Sequence, residues 1–151
     1  MAKRKPAPIV RISSTQSALR VPRKKLAKLI EFTSEQEGAT LAELDLAVVA
    51  ENEMADLNYD YLRHSGATDV LSFDLSDAAE GKIGICAQLV ICGEVAVRQG
   101  RAHGLTPQRE LMLYVVHGLL HLMGYEDKSI RGAARMHARE DEILDAFTKR
   151  S

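Results

Sequence analysis

Long apolar runs are missing from this 151-residue sequence. No stretch approaches the ~18 consecutive apolar residues of a membrane-spanning helix. The basic residues near the start are followed by Pro6, Ala7 and Pro8 rather than by the apolar segment of an export signal. We therefore expect no membrane association and a cytoplasmic location. Because 46% of the residues are hydrophobic, the chain can still bury the core of one domain.

Cysteine is scarce, with only Cys86 and Cys92 in the sequence. They lie six residues apart in a segment that has the pattern of a strand, which separates them by ~20 Å at about 3.3 Å per residue. A disulfide requires Cα atoms less than about 7 Å apart. We therefore expect two reduced cysteines in the core.

Net charge is also small, at −1, which taken alone argues against a polyanionic partner. The charges are unevenly placed, however. Residues 1–30 carry nine basic residues and no acidic one, whereas residues 31–80 carry thirteen acidic residues and a single basic one, Arg63. Such a distribution allows a basic patch that holds a phosphate backbone, here between Arg20 and Lys28. The alternatives are a merely solvated helix face, or an RNA path along Arg98, Arg101 and residues 131–139.

Apolar spacing along the chain predicts nine elements of secondary structure. Alternation predicts strands at 8–14, 42–50, 68–75 and 83–92, and helical spacing predicts helices at 23–35, 51–63, 93–103, 107–123 and 129–149. The fourth helix has Thr106 as its N-cap and Pro107 at its first position. The inner residues expected for the last helix are Ala133, Met136, Ile143, Leu144 and Phe147. We divide the chain into a flexible basic tail, residues 1–7, and a single domain, residues 8–151.

The stretch HGLLHLMGYED, residues 117–127, has the spacing of a metal site. His117 and His121 lie four residues apart and so share one face of a helix. Gly124 can adopt a positive φ that ends the helix and lets the chain turn back, which brings Asp127 to the same ion. Two nitrogens and one oxygen with an open position are typical of a catalytic zinc site. The alternative is a pair of buried structural histidines, although the glycine and the aspartate would then have no role.

Gly118 excludes one class of zinc enzyme. Zinc peptidases with the pattern H-E-x-x-H-x-x-G-x-x-H carry a glutamate after the first histidine, and that glutamate activates water. Glycine stands in that position here. Without the general base, peptide hydrolysis is disfavoured, whereas attack on a phosphodiester remains possible.

Three segments resemble one known family, the YbeY endoribonucleases. HGLLHLMGYED is similar to the family signature H-G-x-L-H-L-x-G-Y-D-H. LNYDYLRHSGATDVLSFDL, Leu57 to Leu75, resembles the family segment L-N-x-x-Y-R-x(4)-P-T-D-V-L-S-F, and LVIC at 89–92 falls where the family has its G-D-L-V-I-C strand. The resemblance covers about residues 40–147 in order and spacing.

The resemblance implies both a fold and a function. The fold is a single compact domain of the α/β (α+β) class, with a small four-stranded mixed sheet, about five helices, and one zinc ion at the end of a long central helix. The function is that of a single-strand-specific endoribonuclease in ribosomal RNA maturation, including the 3′ end of 16S rRNA, and in ribosome quality control. Its partners are then single-stranded precursor rRNA and the small ribosomal subunit.

Three positions depart from the family pattern. Asp127 stands where the family has its third histidine, and an anionic ligand makes the metal less electrophilic. Leu62 stands where the family has an arginine, which leaves Arg63, about 100° further round the helix, as the phosphate contact we expect after a local shift. Ala87 and Gln88 replace a Gly-Asp pair. The sequence therefore leaves a second function open, a ribosome-associated RNA-binding factor of the same fold with weakened catalysis.

Overall fold

The computed structural model describes residues 6–63, 66, 68–76, 81 and 83–150. Most of the predicted basic tail, residues 1–5, lies outside the described residues, and so do residues 77–80 of the loop before the fourth strand. Within the described part there are four strands and five helices. They are β1 (Ile9–Ser14), α1 (Arg23–Gln36), β2 (Leu41–Val49), α2 (Glu51–Leu62), β3 (Val70–Asp74), β4 (Ile85–Cys92), α3 (Gly93–Ala102), α4 (Pro107–Leu122) and α5 (Ile130–Arg150).

The strands form one mixed sheet, as predicted. Their order is β1-β2-β4-β3, with β1, β2 and β4 parallel and β3 antiparallel at the edge. The prediction of type and order was correct for all nine elements, and boundaries differ by one or two residues. β4 begins at Ile85 rather than at residue 83. Gly84 has a φ of +111°, which lies outside the extended region of a β-strand, so the strand starts after it.

The two faces of the sheet carry different layers. Residues of α1, α4 and α5 pack with Leu44, Leu89 and Ile91 in the larger core cluster. On the other face, Leu71 and Val90 pack with Met54 of α2 in a smaller cluster. Because side chains alternate along a strand, β3 contributes to both clusters.

α4 is the central helix of the larger layer. Its first turn is capped as the sequence predicts: the Thr106 hydroxyl accepts a hydrogen bond from the backbone N–H of Arg109 at 3.1 Å, and Pro107 occupies the first position. Its middle is fully buried at Leu111, Val115 and Leu119. Such burial fixes the helix firmly and sets the position of its last turn.

The remaining features are the two cysteines and the length of the apolar helices. Cys86 and Cys92 are both buried and unbridged, as predicted. Among the described residues, no helix is long and apolar enough to cross a membrane.

Candidate metal centre

The end of α4 and the loop after it bring three potential ligands together. The Nε2 atoms of His117 and His121 are 3.1 Å apart. Asp127 Oδ2 lies 3.4 Å from His121 Nε2 and 3.8 Å from His117 Nε2. Ligand atoms placed tetrahedrally about 2 Å from a common ion lie about 3.3 Å from one another. The three atoms therefore have the spacing that one zinc-sized ion requires, and the predicted set His117, His121 and Asp127 is the group that the structure brings together.

The turn that makes this possible is centred on Gly124. Its φ is +102°, a conformation that strains any residue with a Cβ. The N–H groups of Gly124 and Tyr125 donate to the carbonyls of His121 and Leu120, which closes the last turn of the helix. The chain then reverses direction, so that Asp127 faces the two histidines.

The loop is held in place by contacts with three helices. The Tyr125 carbonyl accepts a hydrogen bond from His121 Nδ1 of α4 at 3.1 Å. The Tyr125 hydroxyl donates to Glu37 Oε2, just after α1, at 3.0 Å. Gly132 in α5 lies so close to the Glu126 carbonyl that a Cβ on it would come within 2.5 Å of that oxygen. These contacts hold the segment that carries Asp127.

Glu140 of α5 is the site residue that sequence reasoning missed. Its side chain is 2% exposed, and Oε2 accepts a hydrogen bond from His117 Nδ1 at 2.9 Å. Its other oxygen, Oε1, is 3.0 Å from Nδ1 of His137. A signal was available, because Glu140 falls between Met136 and Leu144 on the apolar stripe of α5, where a glutamate is costly without a partner.

The electrostatics of the centre favour a cation. Burial lowers the pKa of His117, but the hydrogen bond to Glu140 and the charge of that carboxylate outweigh burial and raise the pKa above its ordinary value. The charges of Asp69 and Asp127 act in the same direction. Both histidines have an acceptor at Nδ1, which leaves each Nε2 lone pair directed at the shared point. The donor set therefore fits a divalent metal.

Arg63 is not brought to this centre by any contact in the described part of the chain. It follows α2, on the other face of the sheet from α4, with a φ of +58°. Its guanidinium lies 5.5 Å from the centre of the Tyr59 ring. No hydrogen bond or ion pair joins it, among the described residues, to the three ligands. The role of Arg63 as a phosphate contact stays a prediction.

Gly118 also determines how closely α4 packs against the sheet. A Cβ at this position would lie 2.7 Å from Leu89 Cδ2 and 3.2 Å from Ser72 Oγ, so α4 rests on the sheet at this residue. The position that carries the general base in zinc peptidases therefore has no room here for a side chain as large as glutamate unless the sheet side chains beneath it move.

Comparison with known proteins agrees with this fold. A family model described as Endoribonuclease YbeY matches residues 11–148. A relative of that name from Macrococcus caseolyticus is 36% identical over 129 residues, which cover 82% of this chain and 84% of the relative. Another from Bacillus subtilis is 29% identical over 133 residues, covering 82% and 85%. The solution structure of TM1509 from Thermotoga maritima superposes with a TM-score of 0.60 at 25% identity, covering 94% of this chain and 93% of that one.

Proposed function

This chain belongs to the YbeY endoribonuclease family, and on that premise we propose that it is a zinc-dependent endoribonuclease of ribosomal RNA maturation. Its substrate is single-stranded precursor rRNA, with processing at the 3′ end of 16S rRNA and ribosome quality control as its roles. It works in the cytoplasm with the small ribosomal subunit as its partner. The observation that supports this most strongly is the convergence of two imidazoles and one carboxylate on a single point.

In this proposal His117, His121 and Asp127 are the ligands of one Zn²⁺. Bound there, the ion would neutralise charge on a phosphodiester and make water more acidic. The residues of the chain orient this chemistry: Glu140 and the Tyr125 carbonyl fix the two imidazole rings, and Gly124 sets the reach of Asp127. Asp127, whose side chain is 43% exposed, marks the side from which RNA reaches the centre.

The direct test is cleavage of a single-stranded oligoribonucleotide by the purified protein. We expect turnover that is lost on chelation and restored by Zn²⁺, with little cleavage of a duplex of the same sequence. In cells that lack the protein, precursor ends of 16S rRNA should accumulate. The alternative is a ribosome-associated RNA-binding factor with weakened catalysis, which the anionic Asp127 and the packing of the Arg63 guanidinium against the Tyr59 ring favour. That alternative predicts binding of the same RNA without turnover.

The two basic surfaces of the chain differ in their distance from the metal centre. Gln108, near the start of α4, lies 3.5 Å from the Arg20 carbonyl, so the exposed cations at 20–28 flank the first turn of that helix. α4 has 16 residues and is therefore about 24 Å long. A stacked strand covers that distance with about seven nucleotides, at ~3.4 Å each. Near the metal loop, by contrast, lie three exposed cations without an ion pair among the described residues: Lys128, Arg131 and Arg135.

Replacing Arg23, Lys24 and Lys25 together by alanine should weaken binding of a 15-nucleotide RNA and leave binding of a tetranucleotide unchanged. The slope of log K against log salt should flatten by about two units at most, at roughly 0.7 per phosphate contact on a single strand. The matched triple variant of Lys128, Arg131 and Arg135 should weaken both RNAs. Fluorescence anisotropy at several salt concentrations measures both effects. An unchanged slope for the N-terminal variant would make residues 20–28 a solvated face only.

Asp127→His should keep the metal and raise cleavage several-fold. The substitution restores the neutral ligand that the family pattern carries at this offset, so the ion keeps more of its positive charge. Metal content by atomic emission and kcat on the oligoribonucleotide measure the two effects. Glu126→His is the matched control, because Glu126 is exposed and lies outside the ligand group. Loss of metal from Asp127→His would show that the loop after Gly124 does not accept an imidazole there.

A further inference from the structure

We propose that Glu140 is a positioning residue of the metal centre, which holds His117 in the tautomer and orientation that direct Nε2 at the ion, and that His137 holds Glu140 in turn. The inference rests on the proposed function only in assuming a metal at His117, His121 and Asp127. It assigns a role to two residues of α5 that lie outside the ligand group.

Glu140 joins two histidines, one through each oxygen of its carboxylate. It is 1% exposed, and each carboxylate oxygen faces one imidazole, His117 at 2.9 Å and His137 at 3.0 Å. A buried carboxylate is costly unless hydrogen bonds satisfy it. Because both of its described hydrogen bonds go to histidines, the position of Glu140 in the core is tied to the metal centre rather than to packing alone.

A carboxylate fixes the tautomer of its partner because it can only accept. Facing Glu140 Oε2, His117 must carry its proton on Nδ1, and Nε2 is then a free lone pair. His121 is held in the same way, but by the neutral carbonyl of Tyr125. An anionic acceptor makes the ligating nitrogen more basic than a carbonyl does. Of the two imidazoles, His117 is therefore the stronger ligand.

His137 completes the bridge from outside. Its side chain is 71% exposed, in contrast to 22% for His117, and it lies three residues before Glu140 on the same helix. By donating to Oε1, it uses the oxygen that does not face the ligand and keeps the carboxylate from rotating. His137 is outside the group of atoms that converge on the ion.

The test is Glu140→Gln, which keeps the size of the side chain. Glutamine has one accepting oxygen, so it cannot accept hydrogen bonds from both histidines at once. If the amide NH₂ faces His117, the ring must accept at Nδ1 and carry its proton on Nε2, which blocks ligation. We expect the Kd for Zn²⁺ to rise about 10- to 100-fold. In the metal-free variant, long-range ¹⁵N NMR should show His117 leaving the Nδ1–H tautomer. A merely structural role would not move that spectroscopic signature.

His137→Ala is the second variant: it removes an exposed ring, and some stability is lost because Glu140 Oε1 loses its donor. We expect a Zn²⁺ Kd only several-fold weaker, with His117 still protonated on Nδ1. Wild-type affinity and an unchanged tautomer in both Glu140→Gln and Glu140→Leu, the second of which cannot accept a hydrogen bond in any orientation, would overturn the inference. Wild-type protein that binds zinc with the Nδ1–H tautomer but cleaves no RNA would defeat the proposed function and leave the positioning role intact. Wild-type protein that binds no zinc would overturn both.

Discussion

His117→Ala is expected to remove metal binding and RNA cleavage together. Two ligands, His121 and Asp127, remain, and they cannot hold a zinc ion that needs at least three protein groups. The loss in kcat/KM should exceed about 100-fold, the upper range for loss of an outer partner alone. The substitution also leaves Glu140 Oε2 buried without its imidazole, so stability should fall as well.

Metal content, turnover and thermal unfolding of the same preparation separate these effects. The matched control is Glu126→Ala, which removes an exposed carboxylate next to Asp127 and should keep both metal and activity. A folded His117→Ala protein that retains one zinc per chain would mean that other residues hold the ion. Cleavage that persists without metal would contradict the proposed mechanism.

Gly118→Glu is expected to unfold or nearly unfold the protein rather than to create a peptidase. The new side chain would have to enter the contact between α4 and the sheet, where even a Cβ comes within 2.7 Å of the fully buried Leu89. Overpacking costs about 1–3 kcal/mol, and a buried carboxylate without a partner adds several more. A typical domain has only about 5–15 kcal/mol of stability in total.

Gly118→Ala is the graded control for this prediction. Its Cβ meets the same Leu89 methyl, but alanine recovers up to about 1 kcal/mol of helix propensity. We therefore expect a loss of about 0–2 kcal/mol, measured by urea unfolding, with the metal retained. A stable, metal-loaded Gly118→Glu protein would show that α4 can move away from the sheet.

Local patterns made much of this structure predictable. The apolar spacing gave all nine elements, because each of them has a buried side that repeats with its own period. The convergence of His117, His121 and Asp127 was also predictable from local sequence, because one helix end and one turn determine it. Val70 and Leu71 belong to different core clusters on opposite faces of the sheet, as alternation along a strand requires.

Two contacts that sequence reasoning missed join distant parts of the chain. Glu140 is 23 residues from His117, and Glu37 is 88 residues from Tyr125. Nothing local in either segment indicates its partner, because tertiary packing of α1 and α5 against α4 creates the contact. The distance between the cations at 20–28 and the metal loop has the same origin, since it depends on which end of α4 adjoins Arg20.

The compactness of the ligand set along the chain has a consequence for the denatured state. His117, His121 and Asp127 all come from the segment 117–127, whereas Glu140 and Glu37 join only when the helices pack. We therefore expect the unfolded polypeptide to retain some affinity for the metal, weaker than that of the folded protein. Binding to both states cancels part of the linkage between metal concentration and folding. Added zinc should stabilise this protein less than its native-state affinity alone implies, and the difference reports what the packed helices contribute to the site.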